Sequence, residues 1–204
     1  MTSDTDIVNV AMRLLKANRI TALADGSNNA NVADDVFTEV RDDMLRAHNW
    51  NFASKWIKLA ESSTEPTFEF DNFYPFPADW IRTISVHDND AGVGTVLYRE
   101  GEIGGQGGIL TSADELWLRY VYRVTDTNRM SADFRTAFSY ALAIAMPGIS
   151  NLSATREDAL ERRATGRLRR ARHSDAVGST PERRPAGSWA TSRSGYPSWR
   201  AWPD

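Results

Sequence analysis

Cysteine is absent from the 204 residues. That removes disulfide scaffolds, thiol catalysis, Cys-type zinc sites and Cys-ligated iron–sulfur clusters together. Long apolar runs are missing too. The longest mostly apolar stretch, Phe138 to Ile149, holds about a dozen residues, where a membrane-spanning helix needs roughly 20. The opening residues MTSDTDIVNV have neither a basic n-region nor an apolar h-region, so no Sec signal is expected. The three histidines, His48, His87 and His173, are far apart and near no ligand-spaced partner, so no metal site is expected. His87-Asp88-Asn89-Asp90 lacks the glycine spacing and terminal Glu of a calcium loop and reads as a solvated turn. The glycine-rich run 101–108 lacks a Gly-Lys-[Ser/Thr] ending and leads into a strand, which makes it a mobile loop between strands rather than a phosphate cradle. No G-x-S-x-G nucleophile elbow occurs. Neither a catalytic residue nor a cofactor is expected.

What is present is a charge split. Residues 1–155 carry 13 Lys and Arg against 21 Asp and Glu, a formal −8. Residues 156–204 carry 11 Arg and no Lys against 6 acids, a formal +5, so the net −3 averages two unlike parts.

Periodicity divides the chain further. Ile7, Val10, Ala11, Leu14 and Leu15 mark one face of a first helix, with Asp4, Thr5 and Asp6 at its start. The stretch from Thr21 to Asn31 reads as a loop. A second helix is predicted from near Asn31 to near Trp50, with Asp34 and Asp35 in its first turn and Val36, Val40 and Met44 as its stripe. Short aromatic and β-branched segments follow at Trp56–Ala60, Phe68–Phe73, Trp80–Val86, Thr95–Arg99 and Leu116–Val124. Helix returns behind Ser131 with the stripe Phe134, Ala137, Phe138, Ala141, Leu142 and Ala145, until Pro147-Gly148 ends it. A last helix is predicted from about Ser153 to His173, its apolar stripe being Ala159, Leu160, Ala164, Leu168 and Ala171. The predicted fold is therefore α+β: an antiparallel bundle of two N-terminal and two C-terminal helices, an antiparallel β insert, and an extended C-terminal arm. The boundaries are 1–53 and 128–177 for the bundle, 54–127 for the insert and 178–204 for the arm.

Two segments invite a binding role. Arg162, Arg163, Arg167, Arg169, Arg170 and Arg172 would neutralise phosphates, which makes nucleic-acid binding through the last helix one reading. Arginine without lysine also suits protein interfaces, because the planar fork pairs carboxylates and stacks on aromatics. The acidic body and a sequence pI of about 5.7 favour that second reading. The arm has no Leu, Ile, Val, Met or Phe, and Pro, Gly and Ser supply 12 of its 27 residues, so it cannot build a core of its own. Yet Trp189, Tyr196, Trp199 and Trp202 alternate with Arg193 and Arg200, a composition for docking on another surface. Asp34, Asp35, Glu39, Asp42 and Asp43 read as a solvated acidic face. A carboxylate pair for cell-wall hydrolysis is a third reading, which a single sequence neither supports nor excludes.

Three blocks in order resemble the tail tubular protein A family, the head–tail adaptors of short-tailed phages. They are Leu45–Ala53 with Trp50 and Phe52, Tyr74–Arg82 with Pro77, Asp79, Trp80 and Arg82, and Leu116–Asp126 with Arg119 and Tyr120. The resemblance covers about residues 5–175. It implies a homo-oligomeric ring, usually of twelve copies, at the head–tail junction of a virion assembled in the host bacterial cytoplasm. Such a ring joins the portal protein to the tail nozzle and leaves a channel through which DNA passes without sequence-specific binding. Neither a membrane nor a cofactor is implied.

Overall fold

The computed structural model describes residues 3–94 and 96–178. The class is α+β, with four helices and two small antiparallel sheets among the described residues. Helix α1 spans Asp4–Leu15 and α2 spans Asn28–Arg46. Six strands follow: β1 Ser54–Leu59, β2 Asn72–Pro75, β3 Trp80–His87, β4 Arg99–Ile103, β5 Gln106–Thr111 and β6 Leu116–Tyr122. Helices α3 (Ala132–Ala145) and α4 (Ala154–Val177) complete the order. None of the described helices is long and apolar enough to cross a membrane.

Capping sets the helix starts. Ser3 and Asp6 form a reciprocal capping box on α1, so the cap lies one residue ahead of the predicted acids. Ser27 caps α2 through the Ala30 N–H at 3.3 Å. The helix therefore begins three residues before the predicted Asn31, and Asp34 and Asp35 fall in its second turn. Ser131 caps α3 through the Phe134 N–H at 3.2 Å, as its position predicts. Helix α4 continues past His173 to Val177.

Helices α1, α2 and α4 each pack against α3. The α3 stripe is buried at Phe134, Ala137, Phe138 and Leu142, and Phe37 of α2 meets Phe138 with ring centroids 5.1 Å apart. One connected apolar core runs from Ile7 through the sheet residues Leu118 and Val121 to Ala171.

The β segment forms two three-stranded sheets, ordered β1-β6-β3 and β2-β5-β4. Strand β6 is central in the first. Leu116, Leu118, Tyr120 and Tyr122 are buried as alternation predicts, while Val121, on the other face, is buried as well. Two predicted strands are displaced. Phe68 is exposed in a loop whose Glu69 takes a left-handed φ of 71°, and the strand starts only at Asn72. Leu97 is likewise a loop residue, and β4 starts at Arg99.

The glycine run is not a loop between strands but part of a hairpin. Gly104 and Gly105 have φ of 61° and 81°, the left-handed pair that a two-residue connection between twisted strands requires. Gly108 is small for a packing reason. A Cβ there would run into the Tyr74 carbonyl oxygen and stand 2.6 Å from the Phe73 ring.

Candidate functional site: a helix–sheet seam and an arginine face

The residues of the three sequence blocks converge where the helices meet the first sheet. Trp50 follows α2 and is fully buried, its Nε1 donating to the Met44 carbonyl at 2.8 Å. That bond satisfies a carbonyl in the last turn of α2, where no intrahelical donor is available. The Trp50 ring meets Phe134 edge-on at 4.9 Å, and Phe52 meets Phe134 edge-on at 5.0 Å. A short 3-10 turn, Asn51–Ala53, then feeds β1.

Asp79 joins the second and third blocks. Its carboxylate accepts from Lys55 Nζ at 2.5 Å and from the Tyr120 hydroxyl at 2.9 Å, and its carbonyl accepts the Arg123 N–H at 2.7 Å. Partial burial alone would raise the Asp79 carboxyl, but the Lys55 and Tyr120 hydrogen bonds outweigh it and hold the group below the usual carboxylate range. Tyr120 is pushed in the opposite direction, upward, by burial and by the adjoining Asp79. Pro77 starts a turn closed by the Trp80 N–H to the Pro77 carbonyl at 3.0 Å, which stacks Trp80 on Phe76 at 4.0 Å. Arg82 donates to the Asn49 side chain, and the Tyr122 hydroxyl donates to the Phe52 carbonyl at 3.3 Å. The Arg119 guanidinium lies 4.9 Å from the Trp56 ring centre. The Arg82 and Tyr122 bonds tie the sheet to the turn that follows α2, while the Asp79 bonds hold β1, β6 and the entry to β3 together.

The arginines of α4 are arranged differently. Arg162, Arg163, Arg167, Arg169 and Arg170 are exposed, and Arg172 is half-buried. Leu160 and Ala171 are buried, and Ala159, Ala164 and Leu168 are half-buried, so the predicted stripe is the one that faces inward. Arg167 lies 5.8 Å from the Tyr140 ring centre, and Arg170 reaches Asp133 only at 3.9 Å. This face is held loosely by its own chain. The arm residues Trp189, Arg193, Tyr196, Trp199, Arg200 and Trp202 lie outside the described residues.

Sequence reading missed the staple that fixes the far end of α4. Asp175 accepts the Asn51 N–H at 3.1 Å, lies 3.2 Å from His48 Nε2, and offers its backbone carbonyl to Asn51 Nδ2 at 2.7 Å. Only the aromatic turn around Trp50 hinted that something must hold it.

No family model matches the chain, and no curated protein matches its sequence.

Proposed function

We propose that the protein is a structural head–tail adaptor of a short-tailed phage, without catalysis. In this reading its helices form a bundle that assembles into a ring between the portal protein and the tail nozzle, around a DNA channel. The observation that carries the reading is that the three blocks are tied together where the turn after α2 meets the first sheet, through Arg82 to Asn49 and Tyr122 to Phe52, because an adaptor needs its β part held at a fixed angle to its helices. The arm, residues 178–204, would follow α4 from its stapled end and dock on the portal through Trp189, Tyr196, Trp199 and Trp202.

Truncating a buried aromatic anchor at an interface often costs about 2 kcal/mol or more. A chain lacking 178–204 is therefore expected to fold normally but to lose binding to isolated portal rings. Unchanged portal affinity after truncation would overturn the arm's role.

One observation favours a second reading. The α4 arginines other than Arg172 are exposed along the helix, as a protein binding nucleic-acid backbone would need. That reading requires duplex affinity that falls steeply with salt and is lost on Arg162, Arg163, Arg167 and Arg169→Ala.

A further inference from the structure

The arginine face does not end with α4. Arg156, Arg163, Arg167 and Arg170 sit at i, i+7, i+11 and i+14, one side of the helix. Arg163, Arg167 and Arg170 line a shallow depression of about 460 Å³ beside Tyr140. Arg163 also lines a second groove of about 310 Å³ with Arg156, Lys16, Leu14 and Leu152. Lys16 in turn borders a third, of about 450 Å³, with Arg13 and Arg19. Because each depression shares a cation with the next, seven cations form one track from α1 to Arg170 in the C-terminal half of α4.

Two devices build it. The Asn9 amide accepts the Ile20 N–H at 2.9 Å and donates to the Ile20 carbonyl at 3.0 Å, folding the chain after α1 back so that Arg19 joins Arg13. Asn151 donates its N–H to the Leu15 carbonyl at 3.1 Å and its amide to the Lys16 carbonyl at 3.3 Å, which brings the start of α4 beside Lys16. Among the described residues no carboxylate lies within 4.0 Å of a charged nitrogen of Arg13, Lys16, Arg19, Arg156, Arg163 or Arg167. The carboxylates near the track are few: Asp133 stands 3.9 Å from Arg170, and Asp6 borders the depression of Arg13, Lys16 and Arg19 without pairing with them, which leaves an excess of cations for an acidic surface from elsewhere.

The same chain carries one. Asp35, Glu39 and Asp43 of α2 are exposed at i, i+4 and i+8, with Asp34 beside them, and no Lys or Arg of the described residues pairs with them. Asp42 is different, being held by Arg41 and Arg123 at 3.1 and 2.8 Å. At 1.5 Å rise per residue the acids span about 12 Å, and Arg163 to Arg170 spans about 10 Å. Each row also borders half-buried apolar side chains: Val32, Val36 and Val40 on α2, Leu14, Leu152 and Ala159 along the track. The two rows do not meet within one chain.

We infer that the α1–α4 cationic track docks on the acidic face of α2 in a second copy of this chain. Such a contact joins two different patches, so it is heterologous and closes into a ring when the rotation allows. The inference rests on the ring reading and supplies the surfaces for it. Exposed ion pairs are individually weak and screened by salt. The contact therefore sets register and partner choice, with the apolar borders adding burial.

Sedimentation velocity on the full chain tests this, with three proteins checked for native circular dichroism: wild type, Arg163/Arg167/Arg170→Glu, and Asp35/Glu39/Asp43→Lys. All six changed side chains are exposed, so both variants are expected to fold. Wild type should self-associate about tenfold more weakly when salt rises from about 50 mM to about 0.5 M. Each variant alone should lose association by about tenfold or more, and an equimolar mixture of the two should regain it. If wild type associates but either reversal leaves it unchanged, or the mixture stays dissociated, the docking inference is wrong while the ring reading stands. If wild type never associates, alone or with portal rings, both fail. A parallel titration with a short DNA duplex completes the design. Tight, salt-sensitive binding abolished by the Arg→Glu variant, with self-association intact, would assign the track to nucleic acid instead.

Discussion

Asp175 presents two opposed effects whose sizes decide the outcome of removing it. The residue lies in the last turn of α4, where its charge faces the negative end of the helix dipole, a penalty of about 0.3–1 kcal/mol. Against that, the carboxylate is only 6% exposed and accepts the Asn51 N–H at 3.1 Å. A hydrogen bond to a charged acceptor contributes about 1.5–3 kcal/mol, and a donor left without its acceptor adds to the loss. The bond from Asn51 Nδ2 to the Asp175 carbonyl survives any side-chain change and limits the damage. The balance favours the staple. Asp175→Ala should destabilise the fold by about 1–2 kcal/mol, lowering Tm by roughly 3–6 °C for a chain of this size. Asp175→Asn, which keeps a neutral acceptor, should lose about half as much. Urea unfolding followed by circular dichroism gives the answer, and the m-value should not change. A midpoint that stays the same or rises in Asp175→Ala would mean that the dipole effect dominates and that the staple does not hold α4.

Other perturbations probe the seam and the hairpin. Trp50→Ala removes the fully buried ring and the bond to Met44, and should cost about 3–5 kcal/mol in the same assay. Tyr120 holds its proton more tightly folded than unfolded, so its contribution is complete below the unfolded value of about 10 and is lost as pH rises through the higher folded one. Stability should fall with pH above about 10, and Tyr120→Phe should make that fall shallower in urea titrations repeated across alkaline pH. Gly108→Ala must push its methyl into the Tyr74 carbonyl and the Phe73 ring, and a loss of about 2 kcal/mol or more is expected. Gly148→Ala has open space around the added carbon and serves as the control in the same melts.

Periodic elements were legible and through-space partners were not. The stripes of α1 and α3 appear at i, i+3, i+4 and i+7, and both helices formed where that spacing put them. The start of α2 was misread because Ser27-Asn28-Asn29 carries turn chemistry, and those residue types also suit a helix N-terminus once Ser27 caps it. The β4–β5 hairpin was hidden by glycine, which weakens strand patterning while supplying the left-handed turn and the close approach at Gly108. At the seam the aromatic positions stood out by type. The partners of Asp79 did not, since Lys55 and Tyr120 lie 24 and 41 residues away along the chain. The Asp175–Asn51 staple closes a separation of 124 residues, beyond any local pattern. The cationic track was half visible. Arg163, Arg167 and Arg170 were among the arginines the sequence singled out, Arg156 was not, and the α1 end depended on the folding back of the chain through Asn9 and Asn151.

The central claim, a ring subunit that docks on a portal, is tested most directly by imaging. Full-length protein mixed with isolated portal rings of its own phage and examined by negative-stain microscopy should show a closed ring of this chain stacked coaxially on each portal. Portals that remain bare at saturating protein, with the chain dispersed as monomers, would contradict the claim.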